Sequence, residues 1–231
     1  LGYIPLVVIN ATIIHIPVIL GALFLGPKKG AFLGFVFGLT SFINNTFKAA
    51  TASAFVFSPV LAVNVVGVSG IFRSLYICIV PRILVGVVPY FIYVLIRKAA
   101  GDEHKAGRVA VNTIASVILF ISVRAFFIRL LPESLSAMVC TIIGVVAGVI
   151  LMAVLTISGN TKGSSNIALS YAGLAGAFTN TLFVMSGIFI LYKDAYAQAM
   201  GVAGDAVLDV IMGVVAFNGV VEAVVAAIIV T

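Results

Sequence analysis

Charge is scarce in this sequence. Only 9% of its 231 residues are Asp, Glu, Lys or Arg, against about 25% in a soluble domain. Apolar residues fill the deficit at 63% of the chain, more than a water-soluble globular fold can hide. Cysteine is scarce too. Cys78 and Cys140 both fall in apolar runs, where a thiol acts as a small hydrophobe, so neither a disulfide nor a metal site is expected. There is no GxxxxGKS/T phosphate loop, no HExxH, no GxSxG and no catalytic Cys/His pairing. Their absence removes ATP hydrolysis and covalent catalysis from this chain and leaves it no cofactor to hold. The net charge of +6 does not point to nucleic acid, because the 13 basic residues are scattered over loops and helix ends and form no stripe with interleaved aromatics.

What is present is a series of apolar runs of about 20 residues, the length that crosses the hydrocarbon of a bilayer. Charge clusters and Pro/Gly breaks divide them into seven segments, at 11–26, 30–47, 74–96, 108–130, 134–157, 166–192 and 205–230. The expectation is an all-α integral membrane protein of about seven transmembrane helices, forming a single membrane domain over 1–231. The first segment is short, and an alternative is one element over 1–26 kinked at Pro5 and Pro17. Residues 1–6 follow no methionine and read as the tail of a longer segment, so a further helix upstream is expected.

Orientation follows from the basic residues. A cytoplasmic Pro27-Lys28-Lys29 turn places Lys28, Lys29, Arg97, Lys98, Lys105, Arg108 and Lys162 inside and leaves Lys48, Arg73, Arg129 and Lys193 outside. The long uncharged stretch 49–72 is then an outside loop of the length used for lids and binding loops. Small residues recur every four positions at Gly30, Gly34 and Gly38, at Gly144 and Gly148, and at Ala168, Ala172 and Gly176. Such rows serve close helix packing or offer a smooth face to a partner helix.

A polar side chain inside a membrane helix costs a few kcal/mol unless it meets a cavity or a partner. In this topology Arg82 lies about 12 Å, Asn180 about 18 Å and Asn218 about 20 Å below the outer surface at the helical rise. All three converge on the outer half of the bundle. Asn218 and Glu222 share one helix face at i, i+4, and Thr179, Asn180 and Thr181 form a polar band. These groups can line a site for a small polar metabolite or bond neighbouring helices to one another. Glu222 has three readings: a helix-tying carboxyl, a counter-ion to Arg82, or a substrate contact. Asn10, Thr12 and His15 open the first segment and Asn44 and Asn45 close the second, at the outer entrance. His15 suits a hydrogen bond to substrate or loop better than a metal, since no second ligand stands at metal spacing. Arg124 is read as snorkelling to the headgroups, and Asp209 as an acid suited to a helix N-terminus.

The runs IPLVVINATIIHIPVILGALFLGPKKGAFLGFVFGLTSF (4–42), FVFSP (55–59), VPRILVGVVPYFIY (80–93), GAFTNTLFVM (176–185) and FNGVVEAVVAAI (217–228) resemble the substrate-binding S components of energy-coupling factor (ECF) vitamin transporters. The pantothenate-specific type is the nearest. The resemblance implies a six-helix bundle in the bacterial plasma membrane that takes a water-soluble vitamin from outside and topples to release it inside. It also implies partners: one transmembrane scaffold subunit and two ATPase subunits, which use the ATP. The family's site lies in the outer halves of its last three helices. That maps onto Arg82, Tyr90, Asn180, Thr181, Asn218 and Glu222, with Asn10, Thr12, His15, Asn44, Asn45 and Ser58 as entrance or lid residues. Two departures stand out. The AxxxA docking helix would lie before Leu1, and 101–165 reads as a two-helix insertion into a core made of 1–98 and 166–231.

Pantothenate carries a carboxylate that suits Arg82, whereas pyridoxine or another vitamin or precursor would use the amides alone. A second class of function is an autonomous secondary transporter with Glu222 as its proton-coupling carboxylate. An intramembrane enzyme is disfavoured by the missing motifs.

Overall fold

Gly26 takes φ 85° and ends the first helix, and Pro27 starts the second at a position where its missing N–H is no loss. This corner folds α1 (His15–Leu25) back against α2 (Pro27–Phe47). The computed structural model describes residues 3–5, 10–12, 14–49, 51–99, 105–130, 137–162 and 164–230, the first two stretches and parts of the later helices by backbone alone. Two short strands, β1 (Tyr3–Pro5) and β2 (Asn10–Thr12), pair antiparallel with Tyr3 opposite Thr12 and Pro5 opposite Asn10. No kinked single element over 1–26 forms. Pro5 closes a strand, and Pro17 sits in the first turn of α1, where a helix N–H has no partner in any case.

The stretch 49–72 is not an irregular loop. A 3₁₀ turn (Ala52–Phe57) leads into α3 (Pro59–Val66), and α4 (Ser69–Val85) begins directly after it. The cause is local. Ser58 caps the Leu61 N–H and Pro59 stands at N1, so the Ser-Pro pair that reads as a break is a helix start. α5 (Val88–Ala99) continues α4 after a break at Gly86 and Val87. α6 (Lys105–Leu130), α7 (Ala137–Lys162), α8 (Ser164–Met200) and α9 (Val207–Val230) complete the chain. Tyr192, the expected end of the sixth segment, is where α8 breaks, with φ −133° and ψ 15°, before a further helical stretch.

Among the described residues, five helical stretches are long and apolar enough to cross a membrane: Pro27–Phe47, Ser69–Ala99, Ala106–Ala125, Ala137–Ile157 and Ile167–Met200. The 24 residues of α9 reach about 36 Å, beyond the roughly 30 Å of hydrocarbon. The 11 residues of α1 reach only about 17 Å. Large apolar side chains such as Phe24, Phe32, Phe72 and Ile190 point outwards, a surface that only lipid tolerates. This is an all-α, multi-pass membrane protein.

Glycine sets the packing of α2 on α4. A Cβ on Gly30 would meet the Gly86 carbonyl oxygen, one on Gly34 that of Arg82, and one on Gly38 that of Cys78. The helices are therefore antiparallel, backbone on backbone, and this glycine row is an internal contact. Gly144 and Gly148 do the same for α7 against Phe120 and Ser116 of α6, and Gly176 of α8 faces Ile19 and Pro89. The antiparallel order gathers Lys28, Lys29, Arg97 and Lys98 at one end, with Lys48, Arg73 and Lys193 at the other.

A Gly34→Ala variant must push two backbones apart. It is expected to lose about 1–3 kcal/mol, read as a lower thermal midpoint in detergent. Gly213→Ala, where the added methyl meets nothing within 4 Å, is expected to hold or gain up to about 1 kcal/mol. Equal midpoints for the two variants would disprove the contact.

Candidate functional site

Among the described residues, two clusters of buried apolar side chains form, with polar residues between them along the chain. On α4, Ile77 belongs to one cluster and Val85 to the other, with Arg82 between. On α8, Val184 and Ala177 bracket Thr179, Asn180 and Thr181, and on α9 Ile211 and Ala223 bracket Asn218 and Glu222. The helices hold these stretches in register. Ile77 meets Gly187 and Pro89 meets Gly176, so α8 runs antiparallel to α4 and α5 and Arg82 stands level with about Leu182, beside Thr181 in the chain. Thr181 in turn meets Gly219 and bonds Glu222.

Arg82 is buried. Its Nη1 donates to the Ile77 carbonyl at 2.6 Å, and the guanidinium lies 5.2 Å from the ring centre of Phe57 and 5.6 Å from that of Phe37. Two aromatic faces on a desolvated cation stabilise it by about 2 kcal/mol or more. Cys78 Sγ donates to the Phe57 carbonyl at 2.8 Å and so pins one of these rings. Thr181 Oγ1 donates to Glu222 Oε2 at 3.4 Å, with both residues buried. Thr179 turns its hydroxyl onto the Ala175 carbonyl of its own helix at 2.6 Å. Asn180 is different: it is only 8% exposed, and its Oδ1 is a buried acceptor with no hydrogen-bond partner. An acceptor left so costs about 1–3 kcal/mol.

The remaining expected residues are distributed as follows. Ser58 is fully buried and accepts from the Leu61 N–H at 3.3 Å. It also lies 2.7 Å from Thr46 Oγ1, whose own proton goes to the Phe42 carbonyl, so Ser58 is the donor between them. Asn45 Nδ2 donates to the Ser41 carbonyl at 2.8 Å, within its own helix, and Asn44 is half-buried beside it. His15 is fully buried at the start of α1. Tyr90 lies on α5 beyond the Gly86 break, its ring edge-on to Phe91 at 5.7 Å. Asn10 and Thr12 are placed by backbone alone in β2, which touches α9, and Asn218 by backbone alone in α9 one turn before Glu222. Arg124 is exposed and its Nε donates to Thr141 of α7 at 3.0 Å, while Asp209 stands in the first turn of α9. No group of three metal-ligating side chains forms among the described residues. Sequence reasoning passed over Phe37, Phe57 and Cys78, which surround the arginine, because nothing in an apolar run marks which aromatic faces a cation.

No protein-family model matches the chain, and no solved structure matches it. A curated protein does. The pantothenic acid transporter PanT of Lactococcus lactis subsp. cremoris (strain MG1363) is 41% identical over 138 residues, which span 58% of this chain and 67% of the relative. The chain belongs to the PanT family. That kinship agrees with the pantothenate-type resemblance carried by the quoted runs, and together with the long apolar helices it makes this chain a multi-pass protein of the bacterial plasma membrane.

Ser58 and Thr46 share one hydrogen bond, and Ser58 also caps α3. Ser58→Ala is expected to lower stability by about 1 kcal/mol. Adding Thr46→Val should cost clearly less than its single-variant effect, since the shared bond is already gone. Strict additivity in thermal unfolding of the four proteins would refute the pairing.

Proposed function

We infer that this chain is the substrate-specificity subunit of an ECF-type importer and that its vitamin is pantothenate. The kinship to a pantothenic acid transporter supports the ligand. The observation that carries the site is the buried polar stretch shared by α4, α8 and α9, above all the partnerless acceptor of Asn180. Polar groups buried in a membrane bundle are expensive, and apolar residues would hold the helices together at less cost. Pantothenate carries groups that match this lining: a carboxylate suited to the fork of a guanidinium such as Arg82, and hydroxyl and amide donors for the open acceptor of Asn180. In this reading Thr181 and Asn218 complete the wall. Tyr90 and His15 border it, and Asn10, Thr12, Asn44, Asn45 and Ser58 belong to the outer entrance.

In this reading the energy comes from two partner ATPase subunits coupled through a membrane scaffold subunit, and the chain carries no ATPase motif of its own. Residues 1–98 and 166–231 form the vitamin-binding core, and 101–165 is an added hairpin. It is tied to α8 where the Tyr171 hydroxyl meets the Val111 carbonyl at 3.0 Å and Asn112 Oδ1 at 3.3 Å.

Calorimetric titration of the purified chain with pantothenate tests the site. Arg82→Ala is expected to weaken binding by about 30-fold or more, the equivalent of about 2 kcal/mol. An unchanged affinity removes the carboxylate anchor. Asn180→Leu should leave the unloaded protein at least as stable, since it deletes a buried acceptor that has no partner, yet weaken pantothenate binding about tenfold. Co-purification tests the energy source: a stable complex with two ATPases and a scaffold protein is expected. Uptake that needs no such complex and collapses with the proton gradient would instead make Glu222 the coupling carboxylate of an autonomous transporter.

A further inference from the structure

A cavity of about 770 Å³ opens on the outer surface of the bundle between α4 and α8, away from Arg82, Asn180 and Glu222. Its walls are large and apolar or aromatic, with Phe72 and Tyr76 on α4 facing Phe183 and Ile190 on α8, and its floor is Ser186 and Gly187. Both walls lie within stretches long enough to span the membrane, so the groove faces hydrocarbon. At its end stands Arg73, half-buried. Its Nη1 donates to the Leu191 carbonyl at 2.8 Å and its guanidinium lies 6.0 Å from the centre of the Tyr192 ring. Neither partner carries charge, so among the described residues the cation has no anionic partner at the mouth of this apolar slot. Lys193 and Asp194, the next residues along α8, are exposed, and the Lys193 ammonium lies 5.7 Å from the centre of the Phe189 ring.

We propose that this groove binds an anionic phospholipid, with an acyl chain between α4 and α8 and the phosphate on Arg73. A slot with bulky walls over a Ser-Gly floor suits a flexible chain. A partner helix about 10 Å across packs instead on small residues at the rim. A half-buried guanidinium with one of its five N–H groups on the Leu191 carbonyl keeps donors that match phosphate oxygens, and a basic residue at the end of an inter-helix groove is a means by which membrane proteins select lipid headgroups. Arg73 thus has a role separate from that of Arg82: one cation is enclosed by aromatic rings in the core, the other faces the bilayer.

The chain has no tryptophan, so a single tryptophan reports its surroundings without background. Tyr76→Trp places one in the groove, and Ile150→Trp places one on the exposed face of α7, away from basic residues. Each variant is reconstituted in phosphatidylcholine vesicles containing brominated phosphatidylglycerol or brominated phosphatidylcholine at equal mole fraction, and quenching is measured. In Tyr76→Trp the phosphatidylglycerol is expected to associate about fivefold more strongly, ~1 kcal/mol for one basic residue. The preference should vanish on adding Arg73→Gln, persist with Arg73→Lys, and be absent in Ile150→Trp. Equal quenching by the two lipids in Tyr76→Trp would mean ordinary annular lipid and overturn the proposal. So would weak quenching by both relative to Ile150→Trp, which would mean that protein covers the groove. If Arg73→Gln does not fold, a salt series on Tyr76→Trp decides, since a preference resting on Arg73 must shrink as salt rises.

Discussion

The contact on which this molecule depends is the approach of two backbones, α2 onto α4, at Gly30, Gly34 and Gly38. Lipid tails are as apolar as leucine, so no hydrophobic force drives these helices together, and close packing must do it. The carbonyl that Gly34 touches is that of Arg82 itself. Phe37, three residues along α2, is thereby held 5.6 Å from the guanidinium. A side chain at Gly34 would separate the helices and draw the ring away. The glycine row is thus what allows an arginine to be buried at this depth, and the packing signal and the functional candidate are one feature seen from two sides.

From that contact the layering of the bundle follows. Antiparallel register sets Arg82 level with the polar stretch of α8, and Thr181 carries the level to Glu222 on α9. Apolar clusters lie on both sides along these helices. The polar groups are therefore confined to a narrow level in which fields are strong and each missing partner is costly. A bundle optimised only for stability would have continued one cluster into the other.

Much of this was legible in the sequence, for physical reasons that also mark where legibility ends. Segment length and charge placement identify long helices, because hydrocarbon thickness and the cost of charge are properties of the bilayer. The Tyr192 boundary coincides with a real break in α8. The depth of Arg82, Asn180 and Asn218 could be counted along helices whose ends charges defined. The stretch 49–72 could not be read that way. Its Ser-Pro pair marks a loop or a helix start equally well, and only the Ser58 cap decides. The glycine rows could not be assigned either, since whether a smooth face looks inwards depends on which helix arrives there. Phe57 shows the same limit. It lies 25 positions from Arg82 in the chain and reaches it only through the 3₁₀ turn.

That turn is held by a second set of interactions unlike the first. At the break in α8 the Leu191 carbonyl is taken by Arg73, and the Tyr192 side chain turns towards α4. Ser74 gives its proton to the Phe55 carbonyl at 3.1 Å, so the Tyr192 hydroxyl, 2.6 Å away, must be the donor to Ser74 while sharing its proton with the Gly70 carbonyl at 2.9 Å. Phe55 packs edge-on against the Tyr192 ring at 5.6 Å, and Phe57, two residues on, closes over Arg82. The two rings over the cation are therefore secured differently. Phe37 is fixed by backbones that cannot move without unpacking α2, whereas Phe57 is fixed by hydrogen bonds each worth only about 1 kcal/mol net. Of the two rings over the guanidinium, Phe57 is therefore the one that yields at the lower cost.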